Sequence, residues 1–129
     1  MDASREIRLA ALREANRRHV RQRIWEQNAL LQECLRALPA CRIAEPAEAE
    51  RVTALASKHC TGMKPSGKVP ALEPEREYYI VWDNGDTPVI CCGGADILKN
   101  FDDVSAVAFE TVFLDTDFQS AFWYKRFAD

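Results

Sequence analysis

The sequence predicts an α+β fold, with a long N-terminal helix and a second helix packed on one face of a four-stranded, mainly antiparallel sheet. Three observations predict it. Residues 4–38 contain neither glycine nor proline and are rich in good helix formers. Residues 63–74 hold three prolines and a glycine, which marks a linker. Residues 77–92 are two apolar runs joined by Asn84-Gly85, a strong hairpin signal because tight hairpin turns need positive φ.

The length of 129 residues is that of one domain. We expect a single domain over residues 1–129, with a helical half (1–62), the linker (63–74) and a strand-rich half (75–129). The apolar share of 47% and the charged share of 29% are ordinary for soluble proteins. The chain has no apolar run near the roughly 20 residues of a membrane span, and its first residues lack a secretion signal. We therefore expect a cytoplasmic protein with no membrane partner.

The first helix carries an apolar stripe at spacings near three, four and seven residues, which Asn16 interrupts. The stripe consists of Leu9, Leu12, Val20, Ile24, Leu31, Leu35 and Leu38. Pro39 ends the helix, because the residue before a proline is pushed out of the helical region. On the broad polar side of this helix, a set of arginines is interpreted as a solvated face and not as a nucleic-acid site: Arg13, Arg17, Arg18, Arg21 and Arg23.

The second helix spans residues 46–60. Pro46 suits a first helical turn, and Gly62 supplies a stop just beyond the end. Val52, Leu55 and Ala56 fall on one face, which needs a sheet to bury against.

In the hairpin, alternation places side chains on opposite faces of the sheet. One set holds Tyr79 and Val81 with Val89 or Cys91, and the other holds Tyr78, Ile80 and Trp82. After the hairpin, residues 95–100 predict a short helix and residues 101–104 a loop. Residues 105–114 and 118–127 predict two further strands joined by a turn at 115–117, the last strand being a possible edge. A continuous helix over residues 104–127 is the rival interpretation.

No residue pattern indicates a catalytic, metal or cofactor site. The five cysteines are an odd number with no Cys-x-x-Cys spacing, so we expect them to be reduced and mostly buried. Cys91 and Cys92 would point to opposite faces of a strand, and neither has an identifiable base beside it. A small enzyme using one of these two thiols is the least favoured hypothesis.

Charge is unevenly spread along the chain. Residues 1–64 carry a net charge of +4 and residues 65–129 a net charge of −7. Residues 73–117 contain eleven acidic and two basic residues. Acidic surfaces disfavour nucleic acid and speed association with basic proteins. This charge pattern predicts an inhibitor of a cationic enzyme, most economically a nuclease. The candidate contact residues are the acids Asp83, Asp86, Asp96, Asp102, Asp103, Glu110, Asp115 and Asp117, with Trp82 and Trp123 as exposed aromatic anchors.

The order of elements in residues 77–127 is similar to that of bacterial toxin-immunity proteins, which protect cells from polymorphic or contact-dependent inhibition toxins. The resemblance is carried by Tyr79-Ile80-Val81-Trp82, Asn84-Gly85, Pro88-Val89-Ile90, Gly93-Gly94-Ala95-Asp96-Ile97-Leu98, Phe101-Asp102-Asp103-Val104 and Phe122-Trp123-Tyr124. It implies one-to-one neutralisation of a cognate toxin in the cytoplasm, without a cofactor. The alternative is an adaptor or assembly protein that pairs through its long helix, with Leu9, Leu12 and Val20 exposed. The oligomeric state stays open.

Overall fold

The computed structural model describes residues 3–128, so the first two residues and the last residue of the predicted domain lie outside it. The fold is α+β. Its elements are α1 (Ala3–Gln27), α2 (Ala29–Ala37), β1 (Arg42–Ile43), α3 (Pro46–Cys60), β2 (Glu77–Trp82), β3 (Ile90–Gly93), α4 (Gly94–Lys99), α5 (Phe101–Ser105), β4 (Glu110–Asp115) and β5 (Ala121–Lys125). The five strands form one antiparallel sheet in the order β1-β3-β2-β4-β5. The strand missed by the prediction is β1, whose two residues pair with β3.

The predicted N-terminal helix is two helices that meet at Asn28. The backbone of Asn28 leaves the helical region (φ −86°, ψ 99°), and its side-chain oxygen accepts the Leu31 N–H at 3.1 Å. This is N-cap geometry, in which the cap satisfies a backbone donor that has no partner within the helix. The end of α2 before Pro39 agrees with the prediction.

The helices cover both faces of the sheet, so the prediction that the first and second helices share one face was wrong. On the first face, which we call the α2 side, α2, α4 and α5 pack over the largest core cluster. On the other face, the α3 side, α3 packs over Tyr79, Val89 and Leu114. The predicted bounds of α3 are confirmed, and Gly62 adopts a positive φ of 82° just beyond its end. No residue of α1 is buried.

Strand β2 shows the alternation that its sequence predicts. Tyr78, Ile80 and Trp82 belong to the core cluster on the α2 side, whereas Tyr79 belongs to the cluster on the α3 side. Cys92 and Cys91 divide between the two faces in the same way. Both faces of this central strand are therefore covered, which explains why five of its six residues are apolar.

The connection between β2 and β3 is longer than the predicted tight turn. Pairing between the two strands stops at Ile80 and Ile90, and residues 83–89 form the loop. Gly85 does not adopt a positive φ. The side-chain oxygen of Asn84 instead accepts the Asp86 N–H at 2.9 Å. The backbone carbonyl of Asn84 accepts the Thr87 hydroxyl at 2.7 Å. An Asx turn thus replaces the predicted two-residue hairpin turn.

From β3 the chain crosses the α2 side of the sheet to reach β4. The predicted helix near 95–100 is confirmed as α4, but residues 101–105 form α5 where a loop was predicted. Strand β4 accordingly begins at Glu110, five residues later than predicted, and the rival helix over residues 104–127 is wrong. Because β3 and β4 are both antiparallel to β2, they run in the same direction, and β4 starts at the end of the sheet where the 83–89 loop lies.

The linker runs along β5, which the prediction left as a possible edge. The Ser66 N–H donates to the Trp123 carbonyl at 3.0 Å, and the Ser66 carbonyl accepts the Lys125 N–H at 3.0 Å. These two bonds form a parallel bridge between Ser66 and Tyr124. Leu72, farther along the linker, is buried in the α2-side core.

Candidate protein-binding surfaces

Four of the predicted contact residues lie where β2 ends and β4 begins. The Asp83 N–H donates to the Glu110 carbonyl, and the Glu110 N–H donates to an Asp83 carboxylate oxygen, each at 3.2 Å. Asp86 lies in the same loop, with its side chain exposed. Glu110 also accepts the indole N–H of Trp123 at 2.9 Å.

Helix α5 brings two further acids to this end of the sheet. The Trp82 indole donates to the Val104 carbonyl at 2.9 Å, and the Arg126 guanidinium donates to the Ser105 carbonyl at 2.8 Å. These bonds hold α5 over the end of β2, with Asp102 and Asp103 exposed on its outer surface. We call the five residues Asp83, Asp86, Asp102, Asp103 and Glu110 the acidic end.

The remaining predicted acids lie elsewhere. Asp115 pairs with Tyr78 at the opposite end of the sheet, and Asp96 is in the first turn of α4, which starts where β3 ends. Asp115 is 1% exposed, and its carboxylate accepts the Gln119 N–H at 2.8 Å and contacts Arg76 at 3.4 Å. Asp117, although exposed, lies 3.6 Å from the same guanidinium. The eight predicted acids therefore do not share one surface.

The two predicted aromatic anchors have different environments. Trp82 is 5% exposed and belongs to the α2-side core, so the expectation that it is an exposed anchor was wrong. Trp123 is half-buried on β5, beside Glu110. Only Trp123 presents part of its ring at the acidic end.

A cleft of about 1200 Å³ opens beside the acidic end. One wall is α1, with Arg18, Arg21 and Trp25, and the opposite wall is α3. Its floor is formed by the end of β2 and the 83–89 loop. The sequence analysis missed this cleft, because it exists only where the chain turns at Asn28. The signal that could have revealed it was an N-cap residue inside an apparently continuous helix.

Helix α1 exposes a set of large apolar side chains. They are Ile7, Leu9, Leu12, Val20 and Ile24, with Leu12 66% exposed. The helix is also basic, with seven arginines against three glutamates. Glu14 contacts Arg17, Arg18 and Arg21 at 2.9 to 3.5 Å, which compensates part of this charge.

A polar network ties α3 to the sheet on the other side of the cleft. Arg42 donates two hydrogen bonds to the Glu48 carboxylate, at 2.8 and 2.9 Å, and the Tyr79 hydroxyl donates a third at 2.6 Å. Arg42, and after it Tyr79, lowers the pKa of Glu48 to about 2. The side chain of Glu48 is about a quarter exposed, so this network is structural support at the surface.

The cysteine side chains are protonated at neutral pH. Burial raises the pKa of Cys34 to about 12 and that of Cys92 to about 11, and it also raises the pKa of Cys41, Cys60 and Cys91. A thiol attacks as a thiolate, so this shift works against nucleophilic catalysis by Cys91 or Cys92. Within residues 3–128, no group of three or more His, Cys, Asp or Glu side chains is arranged to hold a metal ion.

No protein-family model matches this chain, and no curated protein matches it significantly. In the part of the chain that the structure describes, no helix combines the length and apolar character needed to cross a bilayer. The resemblance to toxin-immunity proteins stays a prediction. The geometry itself offers two surfaces for a partner protein, the acidic end and the basic helix α1.

Proposed function

We propose that this protein binds and neutralises a cognate basic toxin, most economically a nuclease, through the acidic end. One observation carries the proposal. The carboxylates of Asp83, Asp86, Asp102 and Asp103 lie toward one end of the sheet and make no salt bridge with any described residue. Clustered carboxylates that are not neutralised within the protein raise the association rate with a basic partner.

Two positively charged residues lie beside the acidic end and affect where a basic toxin would dock. Lys125 is the cross-strand neighbour of Glu110, and the Arg126 guanidinium is held by the Ser105 carbonyl. Lys125 is the last residue of β5 and Arg126 follows it, whereas Asp86 and Asp102 come from the loop and from α5. We therefore expect the toxin to contact the loop and α5 more closely than β5, with Trp123 as a peripheral aromatic contact.

The test uses a toxin domain from a neighbouring reading frame, which is the partner that the proposal requires. The purified domain should be inhibited at a one-to-one ratio, and its association rate should fall steeply as salt is raised. The variant D86K/D102K should slow association at low salt by about tenfold or more. The matched control, E75K/D96K, makes the same change in net charge at the opposite end of the sheet and should slow it much less.

Comparing the two variants shows whether the association rate depends on charge at the acidic end or on the net charge of the whole protein. Equal slowing by both would mean that net charge, and not the acidic end, steers the partner. Absence of binding to the adjacent toxin, with the wild-type protein folded, would reject the proposed function.

A second candidate function is helix-mediated assembly. The observation that favours it is the exposure of Leu9, Leu12 and Val20 on a 25-residue helix that buries no residue. Helices in proteins gain most of their stability by packing an apolar face against another surface. We therefore expect α1 to pack against a surface of a second protein molecule.

A further inference from the structure

We propose that the cleft between α1 and α3 receives helix α1 of a second copy of this chain, so that two copies exchange their N-terminal helices reciprocally. The proposal rests on the second candidate function, which it makes specific by naming the partner. It accounts for two features at once: a long helix without a buried residue, and a large cleft beside it with nothing in it from its own chain.

The dimensions agree. A helix with its side chains is about 10 Å across and rises 1.5 Å per residue, so a cleft of about 1200 Å³ holds about three turns. Leu12 and Val20 are eight residues apart, which is a little over two turns. The part of the exposed apolar face between Leu12 and Val20 is therefore short enough to fit in a cleft of this volume.

The surfaces agree in polarity. The floor and the α3 wall of the cleft present Ile43, Ala47, Ala54, Val81, Pro88 and Val89. Small residues on the α3 wall allow a helix to approach closely. The stripe of the incoming helix, led by Leu12 and Val20, would bury against this apolar lining instead of facing water.

The charges select a second copy over a partner of other composition. Apart from α1, the charged residues lining the cleft are Glu45, Glu50 and Asp83, all acidic. Helix α1 carries a net +4, and Arg13 and Arg23, close to the stripe, make no ion pair with another described residue. One chain thus supplies both an acidic cleft and a basic apolar helix. The cleft also has two arginines of its own, Arg18 and Arg21, and they share the single carboxylate of Glu14 with Arg17, which compensates part of their charge.

Reciprocal exchange also gives a closed assembly of two copies. Each copy gives one helix and accepts one, so the same contact forms twice about a two-fold axis and no surface is left for further growth. Doubling the contact is how one helix can approach the area of a stable dimer interface, roughly 800 Å² per partner.

The experiment is sedimentation of the full chain over a concentration series. The wild-type protein should form a dimer. L12D on the helix and A54R on the cleft wall should each raise the dimer dissociation constant at least about tenfold. Both sites are exposed, so at concentrations where the wild-type protein is monomeric both variants should keep its unfolding midpoint. The matched control V69D, an exposed apolar residue on the linker, should leave the dimer intact.

A mixture of the two variants gives the sharpest readout. L12D keeps an intact cleft and A54R keeps an intact helix, so mixing them should form a heterodimer with one restored contact. Direct pairing of two α1 helices would not be disturbed by A54R. A wild-type protein that stays monomeric, a dimer that either variant leaves unchanged, or a mixture without recovery would overturn the inference. Neither variant changes the acidic end, so both variants should still bind the toxin, and failure of the dimer in sedimentation would leave neutralisation standing.

Discussion

Tyr79 on the central strand donates its phenolic hydrogen to Glu48 on α3 at 2.6 Å, which fastens the helix to the sheet. The same carboxylate receives two hydrogen bonds from Arg42 of the edge strand β1. Two neighbouring elements, β1 and α3, are thus joined to the distant strand β2 on one side chain. Charge-assisted hydrogen bonds of this kind are stronger than neutral ones.

We predict that Glu48→Gln destabilises the fold by about 1–2 kcal/mol at pH 7, a value kept small because the side chain is partly exposed. The folded pKa of Glu48 is about 2, below its unfolded value of about 4.3. The stabilisation is therefore fully present above the unfolded value and is lost as pH falls through the folded one. Urea unfolding at pH 7 and at pH 2 should show the difference from wild type shrinking with acid. Glu50→Gln, which makes the same change in charge at an exposed position of α3, is the matched control for stability at pH 7.

We predict that Gly94→Ala destabilises the fold by about 2–3 kcal/mol. A Cβ at this position would lie 2.2 Å from the Glu73 carbonyl oxygen, where the backbone of the 73–76 turn meets the start of α4. The neighbouring Gly93 has open space around the same position and a negative φ of −68°. Gly93→Ala should therefore cost much less in the same thermal unfolding measurement. Similar losses at both positions would contradict the close approach at Gly94.

We predict that Asn28→Ala costs about 1 kcal/mol, because the Leu31 N–H loses its capping acceptor. Asn16→Ala, in the middle of exposed α1, should be neutral or slightly stabilising, since alanine has the higher helix propensity. Chemical unfolding of both variants provides the measurement. Absence of any cost at Asn28 would favour the continuous helix that the sequence suggests.

Local patterns in the sequence were enough to predict the central strand, α3 and the end of α2. Alternation assigned Tyr78 and Tyr79 to opposite faces, and Pro46 with Gly62 bracketed α3. These signals succeed because they reflect neighbours in the chain. The break at Asn28 was missed, because good helix formers and apolar residues continue on both sides of this one capping residue.

The positions of the acids depended on longer connections. Asp83 and Asp115 both read as turn residues, yet they lie at opposite ends of the sheet, because the crossing through α4 and α5 makes β4 run in the same direction as β3. No local sequence pattern predicts the direction of β4 relative to β3. The burial of Asp115 could not be predicted either. Its carboxylate contacts the guanidinium of Arg76, which is 39 residues away in the sequence.

The Ser66 bridge limits how any partner can attach to this protein. Many protein complexes form when an extended peptide adds a strand to an open sheet edge. Here the linker already occupies part of the backbone of β5, and β1 at the other edge offers only two residues. A partner is thereby directed to side chains and helix surfaces, where sequence differences between related partners can be distinguished more finely than by backbone hydrogen bonds.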